Sequence, residues 1–107
     1  MINFESIDDI LKNIKNINQT DSDENNHLIK ECKKDKPNIE LVKGLLLSGI
    51  DVNHVNKNGI AALICASSHG HVEIVKELLK VPGIDVNLAN QNGFTALILA
   101  LKINRIE

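Results

Sequence analysis

Gly49-Ile50-Asp51-Val52-Asn53 returns as Gly83-Ile84-Asp85-Val86-Asn87, 34 residues further on, and Asn58-Gly59 returns as Asn92-Gly93 at the same spacing. Ile39-Glu40-Leu41-Val42-Lys43 returns as Val72-Glu73-Ile74-Val75-Lys76 after 33 residues. The one-residue difference falls between Leu79 and Gly83, where Val81-Pro82 lengthens a turn. A period of this length means one supersecondary unit stacked on copies of itself, each copy burying a face that it cannot bury alone.

Each unit has a physical reading. Leu41, Val42, Leu45 and Leu46 fall at helical spacing, as do Val72, Val75, Leu78 and Leu79, so both stretches read as amphipathic helices. Gly49 and Gly83 follow, where a left-handed residue can end a helix. The segments 51–59 and 85–93 are polar and end in Asn-Gly, which suits a hairpin-like excursion. A short helix, Ala61 to His69, carries the small residues Ala61, Ala62, Ala66, Ser67 and Ser68, and Gly70 allows the reversal into the next helix.

The first unit is degenerate. Leu28 to Asp35 reads as its first helix, Ile39 to Leu47 as its second, and Lys36-Pro37-Asn38 as the turn between them. The hairpin approach is read as missing, since Ser22 to Asn26 is merely polar. Charged with Lys30, Glu31, Lys33 and Lys34, this unit suits a terminal cap. Before it, Ile7, Ile10, Leu11, Ile14 and Ile17 line one helical face, with Ser6 and Asp9 in a capping arrangement. That face is expected to pack on the first repeat, a partner contact being the alternative. The domain division is therefore 1–24, an amphipathic helix and polar linker, and 25–107, the repeats (25–57 degenerate, 58–91 full, 92–107 truncated).

The residues from Asn58 to Asn87 resemble the ankyrin repeat family. Gly59, Leu63, Ala66, Gly70, His71, Glu73, Ile74, Val75, Leu78, Leu79, Asp85, Val86 and Asn87 match its running pattern in register. The resemblance covers roughly 25–107 and implies an all-α helix-turn-helix solenoid with short hairpin-like loops. It also implies a non-catalytic scaffold or adaptor that binds a protein. Ala61-Ala62 stands where the family has Thr-Pro, Ala96 replaces the Pro in the last unit, and Ile64 and Ile98 replace a His. The family's Thr and His join local hydrogen bonds, so their loss predicts a looser middle unit, by about 1 kcal/mol per bond. Asn53 and Asn87 follow Leu45 and Leu79 at the spacing at which the family's turn asparagines are sometimes hydroxylated.

The third unit runs through Leu97, Leu101 and Ile103 to Glu107, the counterpart of Glu73, and lacks its second helix. The expectation is that further repeats follow Glu107; a covering chain or a fraying end are the alternatives.

Composition removes several functions. Net charge is −2, aromatics are 2%, and Arg105 is the only arginine, which leaves little for phosphate readout or base stacking. Nucleic acid is not an expected partner. Without a long apolar run, no membrane span is expected either. Cys32 and Cys65 make no close pair, which suits a reducing, intracellular setting, cytoplasmic first and nuclear second.

Cys65 and His69 sit one helical turn apart, with His71 beyond. No second Cys/His pair completes a metal site, and His71 matches the family's turn histidine, so no metal is expected. Neither cysteine has a visible base, and Asp51 and Asp85 recur with the period, which marks them as turn formers. No phosphate loop or zinc-protease motif occurs, so neither a cofactor nor catalysis is expected.

A stack of this kind presents hairpin tips and first helices on a concave face. The register places Val55, Lys57, Asn58, Ile60, Ser68 and His69 there, with Ala89, Gln91, Asn92, Phe94 and Lys102 in the next unit, as partner-binding positions. Phe94 is the favoured anchor, with inter-unit packing the competing role for it and Ile60. Two further functional readings stand beside the adaptor: an N-terminal targeting segment of a larger ankyrin-repeat enzyme, and a short inhibitory or capping protein.

Overall fold

The computed structural model describes residues 16–88. Within them the order is α1 (His27–Cys32), α2 (Ile39–Leu47), α3 (Ala62–Ser68) and α4 (Val72–Leu79). These are two helical hairpins stacked side by side, with α1 against α3 in one layer and α2 against α4 in the other. Among the described residues the only pairing of extended backbone is an isolated bridge between Val55 and Ala61, closing a hairpin-like loop. The all-α repeat architecture expected from the periodicity is therefore present.

The helices start and stop for local reasons. The Asn26 side chain accepts from the Ile29 N–H to cap α1, and Asn38 accepts from Leu41 to cap α2. At the end of α2 the Ile50 N–H reaches the Leu45 carbonyl and the Gly49 N–H the Leu46 carbonyl; Gly49 is left-handed, with φ 84. At the end of α3 His71 and Gly70 repeat this on Ala66 and Ser67. Both ends are Schellman motifs, and in the first Leu45 and Ile50 are buried in the same core cluster. α1 is shorter than the sequence reading, ending at Cys32 rather than Asp35, because Lys33 to Lys36 are exposed and have no core to face.

The core runs without a break across the interface. Leu28, Ile29, Cys32, Val42, Leu45, Ile50, Ala62, Leu63, Cys65, Ala66, Ile74 and Leu78 form one buried cluster. Ile17 packs on its edge but sits in the turn that Asn16 closes onto Asn18 and Gln19, not on the helical face expected for it, while the rest of the expected N-terminal helix lies outside the described residues. Ala62 and Ala66 have almost no side chain, which lets α1 and α4 close on α3.

One expectation is corrected. The first unit does have its hairpin approach, built from residues 16–26, which keep only Asn18, the counterpart of Asn53, from the repeated phrase. The Asn56 Oδ1 accepts the N–H groups of Asn58 and Ile60, at 2.9 and 3.0 Å. Asp21 Oδ1 likewise accepts those of Asp23 and Asn25, both at 2.9 Å. The backbone bond from Asn56 to the Ile60 carbonyl has its twin from Asp21 to Asn25. Glu24, at φ 64, takes the left-handed place that Gly59 holds at φ 76. A carboxylate replaces an amide as turn acceptor, so the geometry survives where the motif does not. The backbone N–H of Asn25 does most to hold the Asp21 carboxyl below its ordinary pKa; burial opposes it, and the Asn25 side chain and the Asp23 N–H add to the lowering.

Candidate functional site

α1, α3 and the loop that leads into α3 line a cleft of about 190 Å³. Ile29 and Lys33 come from α1 and the turn after it, Asn56, Asn58 and Ile60 from the loop, and Ile64, Cys65, Ser68 and His69 from α3 and its C-cap. Ile29 and Ile64 are buried and Ile60 is half-buried, which makes an aliphatic floor. Lys33, Asn58, Ser68 and His69 are exposed around it. An apolar floor with a polar rim is the usual anatomy of a recognition surface.

Of the positions named from sequence, Asn58, Ile60, Ser68 and His69 line this cleft together. Val55 and Lys57 are exposed on the same loop but do not line it. The Lys57 ammonium pairs with Asp23 at 2.6 Å, and its N–H donates to the Asp23 carbonyl, so this residue ties one loop to the next. Ile60 also packs against the core, the competing role set out for it. Ala89, Gln91, Asn92, Phe94 and Lys102 lie outside the described residues.

Sequence reasoning missed Ile29, Lys33, Asn56, Ile64 and Cys65. The first unit reads as a solubilising cap, so α1 was given no share of the face. The available signal was the period itself: Ile29 and Lys33 precede Ile64 and Ser68 by 35 residues, one unit earlier.

The histidines are held by carbonyls. A carbonyl can only accept, so His69 Nδ1–H donates to the Cys65 carbonyl at 2.8 Å, and His71 Nε2–H donates to the Lys34 carbonyl at 2.9 Å. The two rings stack with centroids 5.6 Å apart and planes 19° from parallel. The two ring planes are nearly parallel, so their lone pairs lie in separate planes, and His69 Nδ1, 3.8 Å from Cys65 Sγ, spends its proton on the Cys65 carbonyl. That arrangement does not converge on a cation, and among the described residues no three His, Cys, Asp or Glu groups are placed to hold one.

Burial pushes the Cys65 thiol up to about 11, with Lys33 opposing it, and pushes Cys32 further still. Both are free thiols in the core. Neither is poised to act as a nucleophile.

The loops are joined by a ladder of side-chain amides. Asn18 Oδ1 accepts the Asp51 N–H at 3.3 Å, and Asn53 Oδ1 accepts the Asp85 N–H at 2.8 Å. Within each loop, Asn16, Asp51 and Asp85 in turn accept the N–H two residues on. The two aspartates are therefore turn-forming groups one period apart, as the repetition implies. No helix of the described residues is long and apolar enough to cross a membrane.

No curated protein matches the chain closely enough to be called a relative. Residues 28–107, well over half of the chain, match the family model described as Ankyrin repeats (3 copies). Such repeats are generally protein–protein interaction modules and typically non-catalytic. With its stacked helical hairpins, Schellman-closed turns and hydrogen-bonded loops, this chain belongs to the ankyrin repeat family.

Proposed function

We infer that this chain is a non-catalytic adaptor that grips a segment of a partner protein in the cleft between α1 and α3. The observation that carries this reading is the aliphatic floor of Ile29, Ile60 and Ile64, rimmed by Lys33, Asn58, Ser68 and His69. Val55 extends the same surface as an exposed apolar residue on the loop. Ala89, Gln91, Asn92, Phe94 and Lys102 are its proposed continuation in the next unit. The two buried free thiols support a reducing compartment, the cytoplasm first.

The division at 24/25 belongs to the same reading, with one amendment. Hydrogen bonds through Asn18, Asp21 and Asn25 make residues 16–24 a working part of the first unit. Photo-crosslinking tests the assignment. A photoreactive side chain at Ser68, in the cleft, should give discrete protein adducts from cells expressing the chain, and one at Lys43, on the outer face of α2, should not. Equal labelling from both positions would sink it.

A further inference from the structure

We propose that the cleft takes an extended acidic peptide segment, with a large aliphatic or aromatic side chain on the Ile29, Ile60 and Ile64 floor and an Asp or Glu beside it at Lys33. The proposal rests on the cleft being the binding site, and it specifies the chemistry of the occupant.

Charge complementarity carries it. Among the described residues no carboxylate lines the cleft, and Lys33 makes no ion pair. The carboxylate nearest in sequence on α1, Glu31, is buried and committed elsewhere: it accepts from Lys34 Nζ at 2.9 Å and from the Asn38 N–H at 2.7 Å. Lys30 and Lys36 are exposed along the same helix and turn, as is Asp35, and none of the three has an ion pair among the described residues, so residues 30–36 set four lysines against two carboxylates. The Lys33 ammonium sits close enough to the cleft for its charge to act on the Cys65 thiol in the wall. The chain as a whole is acidic, at −2, so this local excess of cations is set against its overall field.

The rim also suits a peptide backbone. His69 commits Nδ1 to the Cys65 carbonyl, which leaves Nε2 to meet a polar group of a guest backbone. The Asn58 side-chain amide, exposed on the opposite rim, offers both a donor and an acceptor.

Selection from a phage-displayed library of short random peptides, with the full chain as bait, tests this. The expected winners carry Asp or Glu next to Leu, Ile or Phe. Lys33→Glu should weaken their binding roughly 5- to 20-fold, while Lys43→Glu on α2 leaves it unchanged and added salt weakens it. Both lysines are exposed, and unchanged helical circular dichroism checks that each variant folds. Winners that Ser68→Phe displaces, but that lack acidic residues or ignore Lys33→Glu, overturn the acidic assignment and leave the cleft as the site. Winners that Ser68→Phe does not displace, or no winners at all, overturn both.

Discussion

The Asn53 side chain spans two repeat units: its Oδ1 accepts the Asp85 N–H at 2.8 Å while its Nδ2 donates to the Gly83 carbonyl at 3.0 Å. Both partners lie about thirty residues away along the chain, in the following loop. Asn53→Ala removes both bonds and is expected to cost about 1–3 kcal/mol. Asn53→Asp keeps the acceptor but loses the donor to Gly83, and should cost less. Asn18→Ala removes a longer and more exposed bond of the same kind, 3.3 Å, and should cost least. Urea unfolding of the three variants checks the order, and an unchanged midpoint for Asn53→Ala would show that the ladder does not join the units.

α3 begins at an uncapped end. Ala61 has the extended backbone of a capping residue, φ −92 and ψ 165, but no side-chain acceptor. In the preceding unit Asn26 fills that place, capping Ile29 and donating to the Asp51 carbonyl. Ala61→Ser is therefore expected to stabilise the chain by about 1 kcal/mol. Asn26→Ala, which opens a buried end and orphans a carbonyl, should cost about 2–3 kcal/mol. The two changes should move the thermal midpoint in opposite directions, and a fall for Ala61→Ser would refute the capping account.

Glu24 and Gly70 make a reciprocal pair. Gly70 sits at φ 72 with nothing within 4 Å of where a Cβ would be, so Gly70→Ala meets conformational strain alone, about 1–2 kcal/mol. Glu24 already bears that strain, at φ 64, with an exposed side chain. Glu24→Gly should stabilise by up to about 1 kcal/mol, since the hydrogen bond from His54 goes to the Glu24 carbonyl, which every residue has. Denaturant midpoints decide it. A destabilising Glu24→Gly would mean that the carboxylate itself contributes.

Cys65 links folding to alkaline pH. Its thiol is pushed from 9.0 to about 11 by burial, so the folded state retains a proton that the unfolded chain releases. The stability from the neutral buried thiol is present in full below pH 9 and is lost as pH climbs toward 11. Cys65→Ser should reduce that slope, whatever it costs at neutral pH, leaving the share that the more deeply buried Cys32 contributes. A thiol-reactive dye at mildly alkaline pH should label Cys65 only as fast as the chain opens; immediate labelling of the folded protein would contradict the burial that raises the thiol.

Sequence alone was sufficient for what one unit does with its own residues. The limits of α2 and α4 follow from the spacing of Leu41, Val42, Leu45 and Leu46 and of Val72, Val75, Leu78 and Leu79, because an amphipathic face is a local pattern, although in α4 the buried side chains are Ile74 and Leu78 while Val72 and Leu79 stay exposed. The turns after α2 and α3 were legible for the same reason, since a left-handed position favours Gly49 and Gly70. Tertiary structure alone decided the rest. Asp21 and Glu24 shape a repeat loop where the consensus has Asn and Gly, and Asn56, Lys57 and His54 of the next unit hold that loop in place through Asn25, Asp23 and the Glu24 carbonyl. Lys33 shares a cleft with Asn58 and His69 only because α1 packs on α3. Contacts of this kind depend on how one unit sits on the next, and a pattern read within a single unit carries no information about that seat.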